Sequence, residues 1–169
     1  MSAAINYHRA GSGEPLLLIH GLGSRWQMWN PVLPMLAAQR EVIAIDLPGF
    51  GESPMPVPGT RAGVASLTRL VTGFLDDLGL DRPHVAGNSL GGRLALELAK
   101  AGRARSATAL SPAGFDNDRE AVFQRLSLTA SVRAVRLLAP AAPLLVATAA
   151  GRTLLLGQAR QRLVDSMLA

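Results

Sequence analysis

The sequence contains no cysteine. That excludes a disulfide framework, a thiol nucleophile and a cysteine-ligated metal site. Lysine is almost absent: sixteen arginines and a single lysine, Lys100, carry the basic charge. The net charge is +5, yet the arginines are scattered and no run of five basic residues occurs. Aromatic residues make up 4% of the chain, too few for base-stacking platforms, so no nucleic-acid partner is expected. Long apolar runs are missing too. The longest uncharged stretch of the second half, 137–151, holds Pro140 and Pro143 and stops at Arg152. It falls short of the ~20 residues of a spanning helix, so no transmembrane segment is expected. The first eight residues, Met1 to His8, show no basic patch followed by an apolar run. No secretory signal is read there, and a cytoplasmic location is expected. Histidine is scarce as well, with His8, His20 and His84 alone.

What is present describes a globular chain. Its 169 residues suit one domain with a sizeable core, and 49% are apolar against 17% charged. Residues 5–9 read as a short strand before the turn signal Gly11-Ser12-Gly13. The continuous apolar run 16–20 reads as a strand covered on both faces. A helix is predicted over 29–39, with Pro31 and Pro34 tolerable only in its first turn. Residues 42–46 form a second buried strand, and a proline- and glycine-rich loop spans 48–59. Val64, Leu67, Leu70, Val71, Phe74, Leu75 and Leu78 recur at helical spacing, and Gly79 closes that helix. Residues 84–88 are a third buried strand, 90–100 a helix stopped by Gly102, and 106–110 a strand ended by Pro112 and Gly114. Strands alternating with helices imply an α/β fold with a mostly parallel sheet and helices on both faces. After residue 115 the pattern is helical, rich in Leu, Ala and Arg. Residues 1–115 are therefore read as a core and 116–169 as part of a helical lid.

The strongest chemical signal is Gly87-Asn88-Ser89-Leu90-Gly91, followed by Gly92, between a predicted strand and a predicted helix. A serine at such a turn sits in a strained backbone conformation, and the glycines avoid clashes there. Its hydroxyl projects above the sheet edge as a nucleophile. The Leu90 N–H, opening the helix, points where an oxyanion would form. A second signal, His20-Gly21-Leu22-Gly23, follows the first buried strand, and by position the Leu22 N–H is the second oxyanion donor. His20, at the base of that turn, is read as structural. The third signal is Asp46-Leu47-Pro48-Gly49-Phe50-Gly51-Glu52-Ser53, a turn-rich loop after a strand. Two other glycine readings fail. Gly87 and Gly92 have phosphate-loop spacing, but Arg93 and Leu94 replace its Lys and Ser/Thr. Gly21 and Gly23 begin a dinucleotide fingerprint, but Trp26 stands at its third glycine. No cofactor and no metal are implied.

These three motifs in this order resemble the α/β-hydrolase family over about residues 5–115. The resemblance implies a Ser89 nucleophile, with Leu22 and Leu90 forming the oxyanion hole, and hydrolysis of carboxylic esters or related acyl compounds through an acyl-enzyme. Asn88 resembles the carbon–carbon bond hydrolases that act on ring-cleavage products, and it also occurs in esterases of the family. The family's triad runs Ser, then Asp or Glu, then His along the chain. Here every histidine precedes Ser89. Asp116 is a candidate acid or a cap before the lid, and His84 is expected at the far end of the nucleophile strand. The implied picture is an incomplete fold that ends inside its lid and begins at the family's second strand, with 106–110 left as an exposed edge. A non-catalytic fragment or a binding pseudo-enzyme is the rival reading. Leu137, Leu138, Leu144, Leu145 and Leu154 suggest either an apolar small-molecule substrate or simple packing on the core. Nothing in the sequence sets the oligomeric state.

Overall fold

The computed structural model describes residues 4–54 and 63–115, together with Leu126, Thr129, Ala130, Arg133 and Leu137. Contacts divide the chain into two units, Met1–Phe115 and Asp116–Ala169, and the first carries every element below. Five strands form one sheet: β1 (Tyr7–Ala10), β2 (Pro15–Ile19), β3 (Glu41–Ile45), β4 (His84–Asn88) and β5 (Ser106–Leu110). Their spatial order is β1-β3-β2-β4-β5. β1 runs antiparallel to β3, and the other three pairings are parallel.

The pattern of the central strands explains their place. In β2, Leu17 and Ile19 point to one face and Leu16 and Leu18 to the other, and all four are buried. Val42, Ile43, Ala44 and Ile45 of β3 are inaccessible on both faces. Strands apolar on both faces need helices on both sides. On one face, α2 (Val64–Asp77) and α3 (Leu90–Lys100) cover Leu17, Ile19, Ile43, Ile45 and Val85. α2 contributes Leu67, Val71, Phe74 and Leu75, and α3 contributes Leu94, Ala95 and Leu98. On the other face, Trp29 and Leu33 pack on Leu16, Leu18, Val42 and Ala44.

Four local expectations are corrected. The first strand is Tyr7–Ala10 rather than 5–9; Ile5 sits before it and is buried in the core. The helix predicted over 29–39 divides into a 3₁₀ turn, Trp26–Trp29, and a short α1, Leu33–Ala37. Pro31 and Pro34 explain the break, since neither offers an N–H to a preceding carbonyl, and Pro34 falls in the first turn of α1. The strands predicted over 16–20 and 42–46 each begin and end one residue earlier. The 84–88 and 106–110 strands and the 90–100 helix stand at their predicted bounds. α2 and α3 both end in a Schellman turn. Leu80 N–H reaches Leu75 C=O at 2.8 Å and Gly79 N–H reaches Asp76 C=O at 3.0 Å, while Arg103 and Gly102 repeat the pattern on Leu98 and Ala99. Gly79 and Gly102 both take positive φ, as that turn requires.

β5 is an edge of the described sheet, with Thr108 and Leu110 exposed and Ala107 and Ala109 half-buried. Asp116 and the apolar positions Leu138, Leu144, Leu145 and Leu154 lie outside the described residues, as does most of the segment read as a lid.

Candidate active site

Ser89 occupies the step from β4 into α3, with φ 52° and ψ −112°. Positive φ costs a non-glycine residue roughly 1–3 kcal/mol, so the surroundings must impose it. Backbone bonds do so from three directions. Ser89 N–H donates to Leu110 C=O of β5 at 2.9 Å, and Ser89 C=O accepts from Arg93 N–H at 3.0 Å and Ala113 N–H at 3.1 Å. Ser111, just after β5, is the other non-glycine residue with positive φ among those described (φ 44°), so a second strained residue borders the same turn.

Glycine makes the close packing there possible. A Cβ on Gly87 would lie 2.1 Å from Gly91 O, and one on Gly91 would lie 2.1 Å from Ile19 O and 2.7 Å from His20 O. The N-terminus of α3 therefore presses on the ends of β4 and β2. The 21–24 turn sits on the same edge. A Cβ on Gly21 would meet Asn88 Oδ1 at 3.1 Å and Ser89 Cβ at 3.2 Å. Ser24 N–H closes that turn on Gly21 C=O at 3.2 Å, with Leu22 and Gly23 between them and Gly23 at φ 72°. Leu22 is 57% exposed there. Two backbone N–H groups at this edge lack a local partner by position. Leu90 opens α3 and has no carbonyl one turn earlier in the helix, and Leu22 holds the second place of its turn. Ser89, Leu22 and Leu90 thus come to one end of the sheet.

The histidines do not join them. His84 opens β4, five residues from Ser89, or roughly 16 Å at strand rise. His8 lies in β1, stacked on Trp26 with ring centroids 4.5 Å apart. His20 is fully buried. Its Nδ1 lies 2.7 Å from Gly21 C=O, and its Nε2 accepts Leu47 N–H at 2.9 Å. That pairing fixes the neutral tautomer with the proton on Nδ1. Burial pushes the imidazole below its ordinary pKa, against the opposing pull of Gly21 C=O and Asp46. His20 thereby ties the first turn to the loop after β3.

The loop at 46–53, legible in sequence only as turn-rich, is organised by Asp46. This carboxylate is 1% exposed. Oδ1 accepts Trp26 N–H at 2.7 Å, and Oδ2 accepts Asn6 Nδ2–H at 2.8 Å and Glu52 N–H at 3.0 Å. Ser53 Oγ–H donates to Asp46 C=O at 2.7 Å and accepts Asn6 N–H at 2.9 Å. Gly51 fits over the carboxylate because a Cβ there would fall 2.2 Å from Oδ2. An aspartate at a strand end, followed by glycines that leave room for its carboxylate, was the available signal. Burial opposes ionisation of Asp46, but the Glu52 and Trp26 N–H groups and the Asn6 amide outweigh it and hold the carboxyl below its ordinary value of 3.8. A lowered folded value means that the carboxylate contributes stability above the unfolded pKa and loses it as pH falls through the folded one. Asp46→Asn is expected to cost about 1.5–3 kcal/mol at pH 7, since one amide oxygen cannot accept all three donors. The difference from wild type should narrow at pH 3. Urea midpoints at the two pH values test this, and equal midpoints at pH 7 would refute it.

Among the described residues no three His, Cys, Asp or Glu side chains gather to hold a metal, and no helix is long and apolar enough to cross a membrane. Arg93 pairs with Glu97 at 2.9 Å and lies over the Phe115 ring, 5.6 Å from its centroid, at the close of the described segment.

Comparison with known proteins agrees with this architecture. The chain is 43% identical over 97 residues to the 2-hydroxy-6-oxo-2,4-heptadienoate hydrolase of Pseudomonas putida, covering 56% of this chain and 35% of that one. It is 34% identical over 167 residues to the dihydrolipoyllysine-residue acetyltransferase component of the acetoin cleaving system of Cupriavidus necator, covering 97% of this chain and 42% of that protein. The meta-cleavage product hydrolase of Pseudomonas fluorescens superposes with a TM-score of 0.62 at 33% identity, over 68% of this chain and 43% of its own. The chain thus spans well under half the length of these relatives. A sequence profile described as alpha/beta hydrolase fold matches residues 14–166. With its mostly parallel sheet flanked by helices, the chain belongs to the α/β-hydrolase fold family.

Proposed function

We propose that this chain carries the nucleophile half of a serine hydrolase, in which Ser89 attacks a carbonyl and forms an acyl-enzyme. The observation that supports it most is the forced φ of Ser89 at the strand-to-helix step, beside the turn that carries Leu22. Attack by Oγ creates a tetrahedral oxyanion, the leaving group departs, and water then hydrolyses the acyl-serine. The Leu22 and Leu90 N–H groups are the proposed oxyanion donors. Residues 116–169 are proposed as the start of a helical lid, from their Leu-, Ala- and Arg-rich pattern. No cofactor is required by this chemistry. The substrate class proposed is a small apolar acyl compound, first of all a carboxylic ester.

A second reading, cleavage of a carbon–carbon bond in a ring-cleavage product, is favoured by the similarity to the Pseudomonas hydrolases; Asn88 before the nucleophile is compatible with both readings. Both readings share the same nucleophile and oxyanion site. A covalent phosphonate tests that shared part. With the phosphonyl group on Ser89, one phosphoryl oxygen should lie about 2.7–3.1 Å from both the Leu22 and Leu90 nitrogens. A structure of that adduct with the two N–H groups aimed apart would remove the hole.

A further inference from the structure

At the end of the sheet opposite Ser89, three side chains from separate segments stand in line. His84 opens β4 and Ser106 opens β5, and the parallel register sets the two side by side. Ser106 Oγ is 2.6 Å from His84 Nδ1. His84 Nε2 is 3.2 Å from Glu14 Oε2, an ion-pair distance without hydrogen-bond alignment. Glu14, on the turn into β2, is in turn bound by Arg40 Nη1 at 3.2 Å and by Arg105. The Ser106 residue is exposed, while the His84 side chain is only 20% exposed. With the ring proton on Nε2, facing the carboxylate, the Nδ1 lone pair accepts the Ser106 hydroxyl. A hydroxyl, an imidazole and a carboxylate in this sequence form the arrangement that activates a serine. Beside them Asp81, Arg82 and Arg105 line an open depression of about 480 Å³. Three guanidinium groups (Arg40, Arg82, Arg105) against two carboxylates (Glu14, Asp81) leave the locality positive.

We propose that Ser106 is a second nucleophile, deprotonated by His84 with Glu14 balancing the charge of the imidazole, that accepts acyl groups from small activated esters bearing a negative charge. In the step, Ser106 Oγ bonds to the ester carbonyl carbon and its proton passes to His84 Nδ1. The tetrahedral adduct collapses by breaking the bond to the aryl oxygen. The aryloxide leaves as an anion, and the His84 proton is released to water. Glu14 touches no reacting atom; it balances the charge that the ring acquires. This site shares no residue with the one at Ser89 and does not depend on it.

The test is acylation of the 169-residue chain by the 4-nitrophenyl monoester of succinic acid, with 4-nitrophenyl acetate as the neutral comparison. Trypsin cuts after Arg105, so Ser106 and Ser89 fall in different peptides. The expected result is succinylation of Ser106, faster than acetylation and faster than at the exposed Ser12. His84→Gln should slow it about 10²-fold, the usual contribution of a general base. Glu14→Gln should slow it less, and Glu14→Asp should recover most of the rate by restoring the charge. Acylation confined to Ser89 would overturn the proposal while leaving the Ser89 reading intact. A Ser106 rate no greater than that of Ser12, or one unchanged in His84→Gln, would overturn it as well. If His84→Gln melts early, the Glu14 pair decides. An unaltered rate in Glu14→Gln, or no recovery in Glu14→Asp, counts against the proposal.

Discussion

Ser89→Ala is expected to lower kcat by about 10⁴-fold or more in any form of the protein that supplies a base to that hydroxyl. A serine hydroxyl is a weak nucleophile at neutral pH until a neighbouring base takes its proton. No such base faces Ser89 among the described residues: His20 has both nitrogens engaged, His8 is stacked on Trp26, and His84 lies at the far end of β4. The base must come within roughly 3 Å or act through one water. The residual activity expected of the alanine variant, about 10³–10⁴-fold over water, is what the proposed oxyanion donors and binding alone would supply. Steady-state kinetics on an activated ester and on a ring-cleavage product measure the loss. Undiminished kcat on both substrates would sink the assignment of Ser89.

Gly91→Ala is expected to destabilise the chain by about 3 kcal/mol or more, at the upper end of what overpacking costs. The case is informative because helix propensity predicts the opposite sign. Alanine inside a helix is favoured over glycine by about 1 kcal/mol. Here the added Cβ would lie 2.1 Å from Ile19 O and 2.7 Å from His20 O, and these are backbone atoms that cannot rotate away. To admit it, α3 must lift off the end of β2, which also moves Ser89. Gly73 in α2 supplies the control, since a Cβ there meets nothing within 4 Å. Gly73→Ala should stabilise by up to about 1 kcal/mol through propensity alone. Urea unfolding of both variants measures the contrast. A midpoint for Gly91→Ala at or above that of wild type would refute the steric argument.

Much of this architecture can be read along the chain because its signals are local. Apolar runs on β2 and β3, the heptad-like spacing of Leu67, Val71, Phe74 and Leu75, and the closing glycines Gly79 and Gly102 each act over a few residues. The Gly-flanked Ser89 is of the same kind: a strand, a tight turn and a helix in one continuous segment. Local pattern was weaker where proline competed with helix, so 29–39 broke into a 3₁₀ turn and a short helix. Other features depend on partners far away in sequence. Asp46 looks like one more loop residue until Asn6, Trp26 and Glu52 converge on its carboxylate. The antiparallel sense of β1 follows from its pairing with β3, and hydropathy alone carries no strand direction. The line from Glu14 through His84 to Ser106 joins residues up to 92 positions apart, because neighbouring parallel strands begin in register. The sequence by itself determined which segments form strands and helices and where the Ser89 turn falls, since periodicity and turn chemistry are properties of adjacent residues. Only the tertiary structure decided which side chains meet, because burial, ion pairing and hydrogen bonding are settled by distance in space.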